Sequence, residues 1–182
     1  MKPKIVLIED DEHQALFIAG DLQLQGFEVE ILVSSSIVRR RLRRNEWNDV
    51  ALFLVDIMMP AGTTYEDHAT QDGLITGLFI ARDIREKFEN KPIILWSSSP
   101  FKRIAETARS FAHNIPICTF IPKHEGVEKV KGIYERFIKT GHIGPSILQQ
   151  IWEAISFRPG VGGVSIDVKK LMKSPKKGNR TS

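Results

Sequence analysis

The chain has 182 residues, 42% apolar and 26% charged, which is the balance of a globular protein and excludes a fibrous or wholly disordered one; the length excludes two full-sized domains. Its single cysteine, Cys118, excludes an internal disulfide, and its place in an apolar run marks it as a small buried hydrophobe. The formal charge of +4 is local, with Arg39, Arg40, Arg41, Arg43 and Arg44 in one segment and a second basic run from Lys169 to Arg180.

The first apolar run is too short for a signal peptide or a bilayer span, so a cytoplasmic protein without membrane contact is expected. Lys4 to Ile8 predicts a strand. His13 to Gln25 predicts a helix with Leu16, Phe17, Ala19 and Leu22 as its apolar residues, ended by Gly26. Phe27 to Val33 predicts a second strand. Ser35 or Ser36 is placed to cap a helix from Ile37 to Trp47, with Ile37, Val38 and Leu42 inward and the arginines outward.

Ala51 to Val55 is wholly apolar, as expected of a strand covered by helices on both faces of a parallel sheet. A polar stretch, residues 61–71, precedes a helix from about Leu74 to Phe88. Ile93 to Trp96 and Cys118 to Ile121 predict the fourth and fifth strands, with helices from about Phe101 to His113 and from about Val127 to Lys139. Alternating strands and helices of these lengths predict an α/β protein with a doubly wound, five-stranded parallel sheet, whose ligands sit at the carboxyl ends of the strands.

Those ends carry chemistry. The first strand ends in Glu9-Asp10-Asp11, the third in Asp56, the fourth in Ser97, and the fifth in Lys123 after Phe120-Ile121-Pro122. Crowded carboxylates repel one another, which raises the pKa of at least one unless a hard cation neutralises them, and oxygen-only ligands favour Mg²⁺ over zinc. A carboxylate with a cation, an ammonium and a hydroxyl beside it is suited to receive a phosphoryl group, with Asp56 as nucleophile, Lys123 offsetting charge and Ser97 donating to the oxygens.

Ile5-Val6-Leu7-Ile8-Glu9-Asp10-Asp11, Leu54-Val55-Asp56-Ile57-Met58-Met59-Pro60, Asp72-Gly73, Pro92-Ile93-Ile94-Leu95-Trp96-Ser97 and Phe120-Ile121-Pro122-Lys123 resemble the response regulator receiver family over residues 1 to about 140. The resemblance implies a flavodoxin-like receiver fold with Asp56 as phosphoacceptor. It also implies a Mg²⁺ site from Glu9, Asp10, Asp56 and the backbone carbonyl of Met58, Ser97 and Phe120 as the switch pair, and Lys123 as the phosphate-pairing lysine. The implied donor is a histidine kinase or phosphotransfer protein. The output is a change in binding to another protein or in homodimerisation, and enzymatic action extends no further than the chain's own phosphotransfer and dephosphorylation.

Two features depart from the family. His124 stands where proline usually follows the lysine, so the loop that places Lys123 is expected to be built differently. Residues 61–71 are longer than the family's short connection and read either as a lid or docking segment over the site or as a solvated loop.

Competing chemistries are poorly supported. A phosphatase of the haloacid dehalogenase type resembles Asp-x-Asp, whereas Met58 stands two residues after Asp56; no Gly-x-x-x-x-Gly-Lys loop occurs, and residues 159–163 lack the context of a dinucleotide fingerprint. Residues 141–170 form an extension with an amphipathic helix from Pro145 to Phe157 and a short strand around Val164 to Val168, and 171–182 a disordered basic tail. This is too little for a complete DNA-binding module, so nucleic acid is not expected as a partner. The alternatives are a receiver that keeps the fold without the phosphorylation and an adaptor that meets nucleic acid through its basic segments.

Overall fold

Five short strands pair into one parallel sheet: β1 (Lys4–Ile8), β2 (Glu28–Leu32), β3 (Val50–Asp56), β4 (Ile93–Ser97) and β5 (Cys118–Pro122), in the order β2-β1-β3-β4-β5. Between and after them run α1 (Glu12–Leu24), α2 (Ser35–Arg44), α3 (Thr76–Lys87), α4 (Lys102–Asn114) and α5 (Gly126–Thr140). The computed structural model describes residues 1–66, 73–98 and 102–144; the helix expected at Pro145 to Phe157, the strand near Val164 and the basic tail lie outside them. Among the described residues no helix is long and apolar enough to cross a membrane.

Successive side chains of a strand point to opposite faces, so each central strand feeds two cores. Val6, Ile8, Phe53, Val55, Ile93 and Leu95 pack with residues of α2, α3 and α4, such as Val38, Ile80 and Ala108. Ile5, Leu7, Leu52, Leu54, Ile94 and Trp96 pack with residues of α1 and α5, such as Ile18, Leu22 and Ile133. Burying each such aliphatic side chain stabilises by roughly 1.5–3 kcal/mol, which explains why β1, β3 and β4 read as unbroken apolar runs.

Of the apolar residues expected in helix α1, Ala19 and Leu22 meet the core and Leu16 and Phe17 do not. Ala15, Ile18, Ala19 and Leu22 are buried, at the i, i+3, i+4, i+7 spacing of one stripe, while Leu16 and Phe17 are 65% and 72% exposed. Apolar residues ring this helix, so spacing alone does not select a face. Its N-cap is Asp11, whose Oδ1 accepts from the Gln14 N–H at 3.0 Å.

The cap of α2 is Ser34, whose Oγ accepts from the Ser36 N–H, rather than Ser35 or Ser36. Ser35 is buried instead and donates its hydroxyl to the Ala61 carbonyl at 3.0 Å. Asn45, in the left-handed region at φ 56°, ends the helix, and Trp47 lies beyond it, buried with its ring against Phe53.

The long connection after β3 is not a simple solvated loop in its described part. Gly62–Thr64 forms a 3₁₀ turn, and Tyr65 is buried with its hydroxyl donating to Asp83 Oδ2 at 2.7 Å. Burial and the Asp83 carboxylate raise the Tyr65 pKa, so the ring stays a neutral donor. Residues 67–72 of the expected lid or docking segment lie outside the described residues.

Candidate functional site

The sheet register brings the strand ends together. Ile8 pairs with Val55 and Asp56 with Trp96, so Glu9 follows β1 beside Asp56, and Ser97 lies one residue past the partner of Asp56. Ser97 pairs with Pro122, which leaves Lys123 as the first residue after β5. Because the strands are parallel, all these groups emerge at one edge of the sheet.

Glu9, Asp56 and Ser97 are 1%, 5% and 4% exposed; Asp10 is half-buried. One carboxylate oxygen from each of Glu9, Asp10 and Asp56 lies within 4.8 Å of the others. The Lys123 ammonium donates to Glu9 Oε2 at 2.7 Å, to Asp56 Oδ2 at 3.1 Å and to the side-chain carbonyl of Gln14. Asp56 Oδ1 accepts from the Met58 N–H at 3.3 Å.

Three carboxylates thus face one ammonium in a site shielded from water. Burial, then the Asp56 charge, pushes Glu9 up to about 7 against the pull of Lys123. Burial also raises Asp56, with Lys123 and the Met58 N–H opposing it. A divalent cation among three carboxylates would remove this repulsion, and a donor set made only of oxygens suits Mg²⁺. Met58, two residues beyond Asp56, is half-buried.

Phe120 is half-buried on β5, opposite Leu95 in the register and packed at the margin of the α2–α4 core. Ser97 is two residues beyond Leu95 and therefore on the same sheet face, one strand over from Phe120. The exposed Arg109 guanidinium of α4 stands 5.3 Å from the centre of the Phe120 ring.

Two neighbours of the site carried no signal in sequence. Gln14 sits on the first turn of α1, where its side chain accepts from Lys123. Gly77, in the first turn of α3, donates its N–H to the Ile57 carbonyl at 2.9 Å, and a Cβ there would fall 1.9 Å from the Asp56 carbonyl oxygen. Only glycine lets α3 approach the end of β3 so closely.

His124 does not interrupt the chain's path. Lys123–Glu125 forms a 3₁₀ turn leading through Gly126 into α5, and no peptide bond among the described residues is cis. Cys118 is buried, as expected, and burial pushes its thiol up to about 12, so it holds no reactive thiolate.

No protein-family model matches this chain, and no curated protein matches it. Solved structures do. The CheY-like response regulator receiver domain protein of Methanospirillum hungatei matches with a TM-score of 0.57 at 17% identity, over 76% of this chain and 98% of that one. A response regulator receiver protein of Sinorhizobium medicae matches at 0.57 and 18% identity, over 76% and 96%. The response regulator TrrA of Thermotoga maritima, solved in complex with Mg²⁺ and BeF, matches at 0.54 and 20% identity, over 75% and 98%. The chain has the receiver fold. In the receiver fold of this chain the acidic cluster and Lys123 occupy the carboxyl edge of the sheet, and α4 with β5 forms the neighbouring face.

Proposed function

We propose that this protein is a phosphorylation-controlled signalling module whose phosphoacceptor is Asp56. The observation that carries the reading is the buried Asp56 carboxylate at the end of the central strand, clustered with Glu9 and Asp10 and paired at 3.1 Å with Lys123. The donor is a phosphohistidine on a histidine kinase or phosphotransfer protein in the cytoplasm. An Asp56 oxygen attacks phosphorus, the O–P bond forms as the P–N bond breaks, and the imidazole keeps the electron pair and takes a proton from water.

Asp10 and Asp56, with Glu9 and the Met58 carbonyl, would hold Mg²⁺, which when bound offsets charge on the phosphoryl oxygens. Lys123 already touches the acceptor carboxylate and supplies the second positive charge. Ser97 donates its hydroxyl to a phosphoryl oxygen. Its movement toward Asp56 vacates space on the α4 side of the sheet, into which the Phe120 ring turns, leaving Arg109 without its ring partner. A change of charge at Asp56 thereby becomes a change of shape at α4 and β5, read by an output protein or a second copy of the chain.

The test is incubation of the full chain with Mg²⁺ and a small phosphodonor, followed by intact mass. The wild type gains one phosphoryl group and Asp56→Asn gains none; an unlabelled wild type or a labelled Asp56→Asn overturns the assignment. Ser97→Ala is expected to keep the label but lose the phosphorylation-dependent change in hydrogen exchange across α4. An unaltered change in that variant would refute the switch.

A further inference from the structure

The five arginines of the second helix do not share one role. Arg41 pairs with Glu30 and Glu46, and Arg44 lies 3.6 Å from Glu46. Arg39 donates to the Thr64 carbonyl at 2.8 Å and stands over the Tyr65 ring. Arg40 and Arg43 are exposed and, among the described residues, have no ion pair and no hydrogen bond.

These side chains line an open groove of about 470 Å³. One wall is the stripe of α2 formed by Ser36, Arg39, Arg40, Arg43 and Arg44; the other is the 3₁₀ turn, through Thr63 and Thr64. The turn is held in place by the Ser35 hydroxyl on Ala61 O, by Arg39 on Thr64 O and by the buried Tyr65. The groove therefore exists before any ligand arrives. Among the described residues, no carboxylate and no aromatic or aliphatic side chain lines it.

We propose that this groove binds the phosphodiester backbone of a nucleic-acid duplex. Guanidinium groups and hydroxyls are the donors that phosphate oxygens accept from, and the stripe from Ser36 to Arg44 is about 12 Å long, enough for several successive phosphates rather than one. A docked peptide would need an apolar anchor, and a single strand would use aromatic stacking platforms; the groove offers neither. Backbone binding requires no complete helix-turn-helix module, whose absence led to the expectation that nucleic acid would not be a partner. The inference does not depend on the chemistry at Asp56.

The experiment is fluorescence anisotropy of the full chain with a labelled, mixed-sequence DNA duplex across a salt series, with Arg40→Glu/Arg43→Glu beside the wild type. Thermal melting checks the fold, and Arg40→Gln/Arg43→Gln replaces the charge reversal if that variant fails to fold. The wild type is expected to bind with affinity that falls steeply with salt. The double variant is expected to bind at least tenfold more weakly, with a salt slope reduced by about 1.8, the share of two phosphate contacts. Binding unchanged in the double variant would place any contact elsewhere, such as the basic run at Lys169 to Arg180, and overturn the proposal. Competition by poly-glutamate as effective as by unlabelled duplex would overturn it too, because the groove would then take an acidic protein segment.

Discussion

Glu9 makes the metal-free protein lose stability as pH rises toward neutrality. Its carboxyl is held up to about 7 in the folded protein against an ordinary value of 4.5, so the folded state keeps a proton that the unfolded chain has released. Stability therefore falls as pH rises from about 4.5 to 7, by about 3 kcal/mol at roughly 1.4 kcal/mol for each unit of pKa difference. For a chain of this size that is a drop of about 6 to 12 °C in melting temperature. The assay is thermal unfolding in a chelating buffer from pH 4.5 to 7.5, comparing wild type with Glu9→Gln. Glutamine keeps the shape and an acceptor for Lys123 but cannot ionise, so the difference between the two curves isolates Glu9 from the other titrating groups. Wild type should fall below Glu9→Gln as pH rises across this window, and Mg²⁺ in millimolar excess over the chelator should recover most of the loss, because a cation stabilises the ionised carboxylates. A wild-type melting temperature that tracks Glu9→Gln at every pH would refute the electrostatic account of the site.

Gly77→Ala places a methyl group 1.9 Å from the Asp56 carbonyl oxygen and 2.7 Å from the Ile57 Cα, so α3 must back away from β3. A loss of about 1–3 kcal/mol in urea unfolding and slower labelling of Asp56 are expected; a variant of wild-type stability would mean that the approach is not tight. Tyr65→Phe removes the 2.7 Å hydrogen bond to Asp83 while leaving the buried ring, and should cost about 2 kcal/mol in denaturant unfolding. No change would show that the turn after β3 is not anchored by that hydroxyl.

Much of the fold was legible without coordinates because its cause is local. β1, β3 and β4 are buried on both faces, so unbroken apolar runs such as Leu52 to Val55 announce them, and parallel pairing then forces helices between them. The acids and the lysine were legible as strand ends for the same reason: in a parallel sheet every carboxyl end meets at one edge. That is how Glu9, Asp10, Asp56 and Lys123, far apart in the chain, could be named together from sequence.

The remainder depended on contacts between distant segments, which spacing along the chain does not encode. Leu16 and Phe17 are as apolar as Ile18 and Leu22, and only the position of α1 against β1 and α5 decides which of them meet the core. Three consecutive serines can each cap a helix, and Ser34 takes the role because Ser35 is turned inward to the Ala61 carbonyl. Tyr65 sits in a polar stretch with no periodicity, and its burial follows from the neighbouring α2 and α3, which offer Arg39 and Asp83. Sequence alone placed five arginines on one helix; the structure divides them into Arg39, Arg41 and Arg44, held by acids or a carbonyl, and Arg40 and Arg43, which line the open groove without an ion pair or hydrogen bond among the described residues.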